Sequence, residues 1–120
     1  MLWSRRISFL CGVVGLTTLM LKGEAAFAEL SQLETASNRM VGCRELIKPD
    51  SLTRLFEQGH CSGMLNAIVI VDPQVCAPKG SVENLGVRVV VQYIDQLPAR
   101  QHESFIDLAV EALRKAWPCR

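Results

Sequence analysis

The chain has 120 residues, of which 49% are hydrophobic and 21% are charged. This length suits one domain and excludes large catalytic barrels and two-domain dinucleotide-binding enzymes. The formal net charge is only +1 at pH 7, without the clustered basic excess that nucleic-acid-binding proteins carry, so we expect no nucleic-acid partner.

Residues 1–28 have the pattern of a secretory signal peptide. Arg5 and Arg6 form a positive start, and an uncharged, mostly apolar run over residues 9–21 follows them. This run is shorter than the roughly 20 residues that a permanent membrane helix needs. An uncleaved membrane anchor is the alternative, and the short run favours a cleaved signal.

Small residues precede the predicted cleavage site. Ala26 and Ala28 suit the −3 and −1 positions, so we expect cleavage before Glu29. The mature chain, residues 29–120, would then be a small, near-neutral exported protein without membrane contact. A domain of this size buries a modest fraction of its surface, so covalent cross-links would stabilise it.

Four of the five cysteines lie in the mature chain. Cys11 leaves with the signal, whereas Cys43, Cys61, Cys76 and Cys119 remain. An even number in a small exported domain predicts two disulfides. A four-thiolate zinc site is the alternative, but such sites usually contain Cys-x-x-Cys pairs, and this sequence has none. We therefore expect neither a metal nor a cofactor.

The mature chain begins with weak helical signals. Residues 29–39 are mostly polar at their start, and we expect this N-terminal segment to be loosely ordered. Polar residues and Gly42 disfavour a helix before the first cysteine. The first predicted helix is therefore a short one over residues 43–48, which Pro49 ends, and the folded domain spans residues 40–120.

Apolar residues at three- and four-residue intervals predict a second helix within residues 52–72. Gly59 and Gly63 are poor helix formers, so we place its start near Gln58. The β-branched residues 68–71 would also suit a short strand. The helical period before them favours a helix.

A loop of residues 73–81, rich in turn formers, separates the second helix from the third. Ser81 suits the N-cap of the third helix, which would run to about Gln96 before Pro98 stops it. This helix is apolar nearly all round, which predicts a central position in the fold.

The last helix is the clearest, because apolar residues at 105–117 recur at helical spacing opposite charged ones. The sequence thus predicts an all-α fold, a small disulfide-stapled bundle of three main helices plus a short first helix. Short loops make successive helices antiparallel, so the second and fourth run parallel. Cys76 and Cys119 follow their C-terminal ends and should pair, which leaves Cys43 for Cys61. The apolar stripes also predict four core side chains: Met64, Tyr93, Leu113 and Trp117.

No catalytic arrangement is evident in the sequence. His60 and His102 lack a metal-binding spacing, so we expect both to be solvated or locally hydrogen-bonded. Asp95, Glu103 and Asp107 fall on polar helix surface, where solvation is the simpler explanation. Nucleophile and phosphate-loop motifs are also missing from the sequence. These observations favour a binding protein over an enzyme.

Four short stretches occur in order along the mature chain. They are Gln58-Gly-His-Cys-Ser-Gly63, Cys76-Ala-Pro-Lys-Gly80, Val89-Val-Val-Gln-Tyr-Ile-Asp-Gln-Leu-Pro-Ala-Arg100 and Ala109-Val-Glu-Ala-Leu-Arg-Lys-Ala-Trp-Pro-Cys119. The ordered set, with its terminal Pro-Cys, resembles the Rap/Tai immunity-protein family of type VI secretion over about residues 40–120.

This resemblance implies a periplasmic, all-helical, disulfide-bonded protein that is often a homodimer. Studied members bind and neutralise peptidoglycan amidase toxins, which are secreted cell-wall hydrolases, and they are not enzymes. The resemblance carries over the four cysteines and the packing residues Tyr93 and Trp117, but no toxin-binding residue. The expected function is therefore that of a periplasmic immunity protein. An orphan periplasmic stress or chaperone-like binding protein is the alternative.

Overall fold

The computed structural model describes Glu29 and residues 32–120, so the predicted signal peptide lies outside the described residues. Within Leu33–Arg120, which forms one unit, there are four α-helices and two short helical turns. The helices are α1 (Ala36–Leu46), α2 (Leu55–Val71), α3 (Val87–Asp95) and α4 (Phe105–Ala116). A π-helical turn (Val82–Gly86) precedes α3, and a 3-10 turn (Pro98–Arg100) lies between α3 and α4. The described residues contain no strand, and the predicted all-α class is confirmed.

Helix α1 starts earlier than predicted, at Ala36 and well before residues 43–48. The chain around its beginning is held by backbone hydrogen bonds. The Ala36 N–H donates to the Glu103 carbonyl and the Phe105 N–H donates to the Glu34 carbonyl, each at 2.9 Å. This part of the segment that we expected to be loose is therefore attached to the chain in front of α4, and α1 contacts all three other helices.

Gly42 explains why α1 forms in spite of weak local signals. A Cβ at this position would overlap the Glu57 carbonyl group and lie 2.8 Å from the Glu57 Cβ. Glycine lowers helix propensity, but here the missing side chain lets α1 and α2 approach closely. The same approach brings the Cα atoms of Cys43 and Cys61 to 5.4 Å. Packing between the two helices thus outweighs the unfavourable local propensity.

Helix α2 starts at Leu55 rather than near Gln58. Arg54 precedes it in the left-handed region, with a φ of +54°. The β-branched residues 68–71 continue the helix to Val71, as the helical period before them favours. One side of α2 is buried in the bundle, and that side includes Gln58.

The start of α3 differs from the prediction. The Ser81 hydroxyl donates to the Pro78 carbonyl at 2.6 Å and makes no capping hydrogen bond to the helix. Ser81 does occupy the N-cap position of the π-helical turn that leads into α3, but its side chain does not supply the expected capping hydrogen bond. Helix α3 is also not apolar all round, since exposed polar residues recur at helical spacing along it: Arg88, Gln92 and Asp95.

The core lies where the four helices meet. Its largest fully buried side chains are Phe105, Met40, Leu65, Ile94, Leu108 and Leu113. Leu113 is one of the four predicted core residues. The other three, Met64, Tyr93 and Trp117, are partly buried and pack against this cluster. The Tyr93 hydroxyl reaches the edge of the bundle, where it donates to the Glu111 carboxylate at 3.0 Å.

Two disulfides staple the helices, Cys43 with Cys61 and Cys76 with Cys119. The first is fully buried between α1 and α2, whereas the second lies on the surface. The Cys76 N–H also donates to the Trp117 carbonyl at 2.9 Å, which fixes the C-terminal end against the loop after α2. No helix in the described part of the chain has the length and apolar character needed to cross a membrane.

Candidate docking surface

The carboxylates considered for acid–base chemistry are held by arginines or lie at a helix start. The Arg44 guanidinium donates to Asp95 at 2.6 Å. A hydrogen bond from Arg100 lowers the pKa of Glu103, so this carboxylate is ionised at neutral pH and has no proton to give. Asp107 lies in the first turn of α4. Over the described residues, no three His, Cys, Asp or Glu side chains are grouped to hold a metal.

His60 is placed differently from the expectation of a solvated or hydrogen-bonded imidazole. It is half-buried, and its ring stacks on Phe56 with 6.3 Å between the ring centroids. Its Nε2 atom is buried and has no hydrogen-bond partner among the residues that the structure describes. Apolar stacking thus replaces the polar role expected for this side chain. His102 is exposed on the surface.

Residues 48–55, which comprise most of the connection after α1 and the first residue of α2, expose apolar side chains to solvent, and we call this segment the docking loop. Leu52 is 81% exposed and Leu55 is 61% exposed. Large apolar side chains that lie next to each other and remain exposed to solvent often mark a protein–protein interaction site. The docking loop is therefore the leading candidate for contact with a partner.

Side-chain hydrogen bonds hold the docking loop in one conformation. The Glu45 carboxylate, at the end of α1, accepts from Lys48 Nζ at 2.5 Å, Ser51 Oγ at 2.8 Å and Thr53 Oγ1 at 3.0 Å. The buried Gln58 amide, on α2, donates to the Ser51 and Thr53 carbonyls at 3.2 and 2.6 Å. A loop ordered before binding loses less conformational entropy when it docks.

The backbone of the docking loop is strained at two positions. Asp50 and Arg54 have φ values of +55° and +54°, in the left-handed region that side chains other than glycine seldom occupy. Each such residue costs on the order of 1 kcal/mol and persists only where the surroundings enforce it. The Glu45 and Gln58 hydrogen bonds supply that enforcement, and backbone strain of this kind is concentrated at functional sites.

The docking loop should loosen in acid. Hydrogen bonds from Lys48, Ser51 and Thr53 lower the pKa of Glu45 from its ordinary 4.5 to about 2. A carboxylate with a depressed folded-state pKa stabilises the fold above its unfolded pKa, and this stability is lost as the pH falls through the folded pKa. We expect wild type to exceed Glu45→Gln in unfolding free energy above about pH 5 and to lose this advantage near pH 2.

Urea unfolding of both proteins at a series of pH values measures that difference directly. Other carboxylates titrate in the same range, but they are common to both proteins and cancel in the comparison. A constant difference down to about pH 2 would show that Glu45 does not hold the loop through its charge.

A groove separate from the docking loop lies beside the end of α1. It has a volume of about 500 Å³ and runs between the end of α1 and α3, with Ile47, Leu85 and Val89 among its apolar residues and Arg88 and Gln92 among its polar ones. The groove is lined by both apolar and polar side chains, whereas the two leucines of the docking loop are exposed to solvent.

Sequence patterns did not reveal the docking loop. Its apolar residues look like the start of a helix stripe, and its support comes from Glu45 and Gln58, which flank it on different helices. The available signal was the pair Ser51 and Thr53 on either side of Leu52, directly after Pro49. Small hydroxyl residues in this position favour turns that hydrogen-bond locally.

The model of one protein family, described as Rap1a immunity proteins, matches residues 29–119. No curated protein and no solved structure matches the chain. The matched region includes both disulfides, all four described helices and the docking loop. The chain therefore belongs to the Rap1a immunity protein family.

Proposed function

We propose that this protein is a periplasmic immunity protein that binds and neutralises a peptidoglycan amidase toxin of type VI secretion. Membership of the Rap1a immunity family supports the class of function. The observation on which the choice of surface depends is the docking loop, whose backbone is held by side-chain hydrogen bonds and whose Leu52 and Leu55 side chains are exposed. The protein acts by occupying the cleft of the hydrolase and performs no chemistry itself.

Two observations support export. Disulfides form in oxidising compartments such as the periplasm and are rare in the cytosol, and this fold contains two of them. The family match also begins at Glu29, the residue predicted to start the mature chain. The toxin would meet the immunity protein in the periplasm, because its peptidoglycan substrate lies there.

The energetics of docking favour the two leucines. Burial of a leucine side chain that was exposed contributes roughly 1.5 to 3 kcal/mol. The hydrogen bonds that Glu45 accepts and Gln58 donates already fix the backbone that carries Leu52, so ordering the loop on binding costs little of this free energy. A few such anchors generally supply most of the binding energy in a protein interface.

Leu52→Asp should abolish neutralisation without unfolding the protein. The new carboxylate would lose its hydration in the toxin cleft without gaining a partner, so we expect inhibition of the amidase to weaken at least 100-fold, about 2.7 kcal/mol. Inhibition constants measured with purified amidases of type VI systems, including any encoded beside this gene, provide the test. Ile106→Asp is the matched control, since Ile106 is also exposed but lies on α4.

The results of these inhibition assays distinguish the proposed contact surface from the proposed immunity function. If wild type inhibits an amidase and Leu52→Asp inhibits it equally well, the docking loop is not the contact surface. If wild type inhibits no amidase but prevents aggregation of an unfolding periplasmic protein, the orphan stress or chaperone-like function replaces the immunity function. We also propose that two copies of the chain associate, and the exposed apolar side chains of Phe56 and Ile70 on α2 support this.

A further inference from the structure

We infer that the groove between the end of α1 and α3 is a second contact site for the toxin, and that it receives an acidic, apolar segment whose carboxylate binds Arg88. The inference rests on the proposed immunity function and adds to it a recognition residue and a chemical class for the partner segment. We call this surface the Arg88 groove. Its lining includes Ile47, Leu85, Arg88, Val89, Gln92 and Gln96.

The Arg88 groove has the size and the mixed lining of a ligand site. Its volume of about 500 Å³ falls within the range of about 300 to 1,000 Å³ that is typical of such sites. Ile47 and Val89 pack against the core, so this apolar part of the lining has a fixed position. Leu85 is 51% exposed, and a partner segment in the groove would remove its apolar surface from water.

Arg88 provides a positive charge that is not neutralised within the described residues. The other charged residue of the groove, Asp95, accepts a hydrogen bond from Arg44 at 2.6 Å. Arg88 is exposed, and its side chain makes neither an ion pair nor a hydrogen bond in the part of the chain that the structure describes. Its guanidinium therefore keeps its N–H donors for a ligand. The planar fork of these donors matches the two oxygens of a carboxylate.

A smaller cavity of about 260 Å³ connects the Arg88 groove with the docking loop. It shares Ile47 and Arg88 with the groove, and its lining also includes Lys48 and Pro49 of the docking loop. The Lys48 ammonium is already paired with the Glu45 carboxylate at 2.5 Å, so Arg88 is the better site for an incoming anion. A partner that contacts the docking loop therefore reaches the groove at Arg88.

Polar side chains follow Arg88 along α3. Gln92 and Gln96 lie about one and two helical turns after Arg88, and both are exposed and line the groove. Primary amides donate and accept hydrogen bonds, which suits the backbone of an extended peptide. The row from Arg88 to Gln96 is about 12 Å long at a rise of about 1.5 Å per residue. That length corresponds to about four residues of extended chain.

Electrostatics favour an acidic segment over a basic or neutral one. A cation in the groove would lie beside the like charge of Arg88, and a neutral segment would enclose this guanidinium without a partner. A carboxylate forms two charge-assisted hydrogen bonds with it, and the apolar lining strengthens them by excluding water. Arg88 therefore distinguishes toxins with an acidic residue at this position from those without one.

Arg88→Gln is the variant that tests the groove in the toxin complex. Glutamine is a good helix former and Arg88 makes no ion pair in the described structure, so the fold should be unaffected. Loss of the paired charge should raise the inhibition constant for the amidase at least about 10-fold. Arg120→Gln is the matched control, because it removes the same charge from an exposed arginine that does not line the groove.

Salt dependence separates ion pairing from a change in the fold. Raising NaCl from about 0.05 to about 0.5 M should weaken inhibition by wild type more than inhibition by Arg88→Gln, because salt screens the pair. Arg88→Lys keeps the charge but loses the planar fork, so its inhibition constant should lie between the other two. A substitution that only disturbed the fold would not change the salt dependence.

Short peptides test the groove without the toxin. The probes are an acetylated and amidated Asp-Leu-Ala-Leu peptide, the reversed sequence, and both peptides with asparagine in place of aspartate. In NMR titrations of the mature protein, an aspartate peptide should shift the backbone amide signals of Ile47, Arg88 and Gln92 with a dissociation constant of about 1 mM. The asparagine peptides should bind at least about 3-fold more weakly to wild type, and Arg88→Gln should bind both kinds equally.

The two experiments distinguish failure of this inference from failure of the proposed function. If wild type inhibits an amidase and Arg88→Gln inhibits it equally well, the groove is not a toxin contact, whereas the immunity function stands. If neither aspartate peptide shifts the groove signals, the groove does not bind a carboxylate segment and the inference is overturned. If these peptides bind at Arg88 but wild type inhibits no amidase, the immunity function and the toxin as occupant are both wrong.

Discussion

Replacement of Cys43 and Cys61 together by alanine is expected to lower the free energy of unfolding by about 3 kcal/mol or more. The bond closes a loop of 18 residues, and loss of such a constraint on the unfolded chain costs roughly 3 kcal/mol. Both cysteines are fully buried, so the missing sulfur atoms also leave a cavity between α1 and α2. Small domains have total stabilities of about 5 to 15 kcal/mol, so this loss is a large fraction.

Thermal unfolding of the mature protein measures this effect. A loss of about 3 kcal/mol should lower the Tm by about 12 to 24 °C in a domain of this size. The second bond closes a longer loop, with a separation of 43 residues, but it lies on the surface, and thiol–disulfide exchange requires access to the sulfur atoms. In the native state, a reductant should therefore open Cys76–Cys119 first and leave Cys43–Cys61 intact until the fold opens.

Alkylation of the free thiols followed by mass spectrometry checks this order. Equal rates of reduction for the two bonds under native conditions would mean that the α1–α2 contact opens much more readily than its burial implies. A Tm that does not change in the Cys43→Ala, Cys61→Ala protein would contradict the stabilising role of the buried bond.

Gly42→Ala is expected to destabilise the fold although alanine is a better helix former. The added Cβ would overlap the Glu57 carbonyl group, and because the obstacle is backbone, α1 and α2 must move apart. Overpacking of this kind costs about 3 kcal/mol, and the gain in helix propensity returns about 1 kcal/mol. We expect a net loss of about 2 kcal/mol and a Tm lower by about 8 to 16 °C.

Gly59→Ala is the matched control, measured on dilute protein. It makes the same substitution within a helix, but at a position where a Cβ meets nothing within 4 Å. It should raise the unfolding free energy by about 0.5 to 1 kcal/mol. If both substitutions stabilise the protein, the two helices are farther apart at Gly42 than the structure places them.

The sequence predicted the class of fold and its cross-links because those depend on strong local signals. The spacing of apolar residues identified α4. Because the second and fourth predicted helices run parallel, their C-terminal ends lie close together, and this predicted the disulfide between Cys76 and Cys119. Helix α1 was underestimated because its stability comes from outside its own sequence. The close approach at Gly42 and the backbone bonds from Ala36 to Glu103 join segments that lie far apart in the chain.

The candidate surface was harder to predict than the fold. The sequence around Leu52 does not indicate whether its side chain is buried or exposed to solvent. The difference comes from Glu45 and Gln58, which hold the loop only after α1 and α2 have packed. The apolar spacing predicted the second helix, but only the bundle shows that Phe56, Ile70 and Val71 on this helix remain exposed.

The two bridges have one consequence for how the chain matures. Each joins cysteines that are neighbours in the order of synthesis, so the rings do not interleave. For a chain that enters an oxidising compartment with its N-terminal end first, Cys61 can pair with Cys43 before Cys76 arrives. Cys76 and Cys119 can then pair only with each other. An oxidase that joins thiols in order of appearance therefore makes the correct bonds, and shuffling by an isomerase is unnecessary.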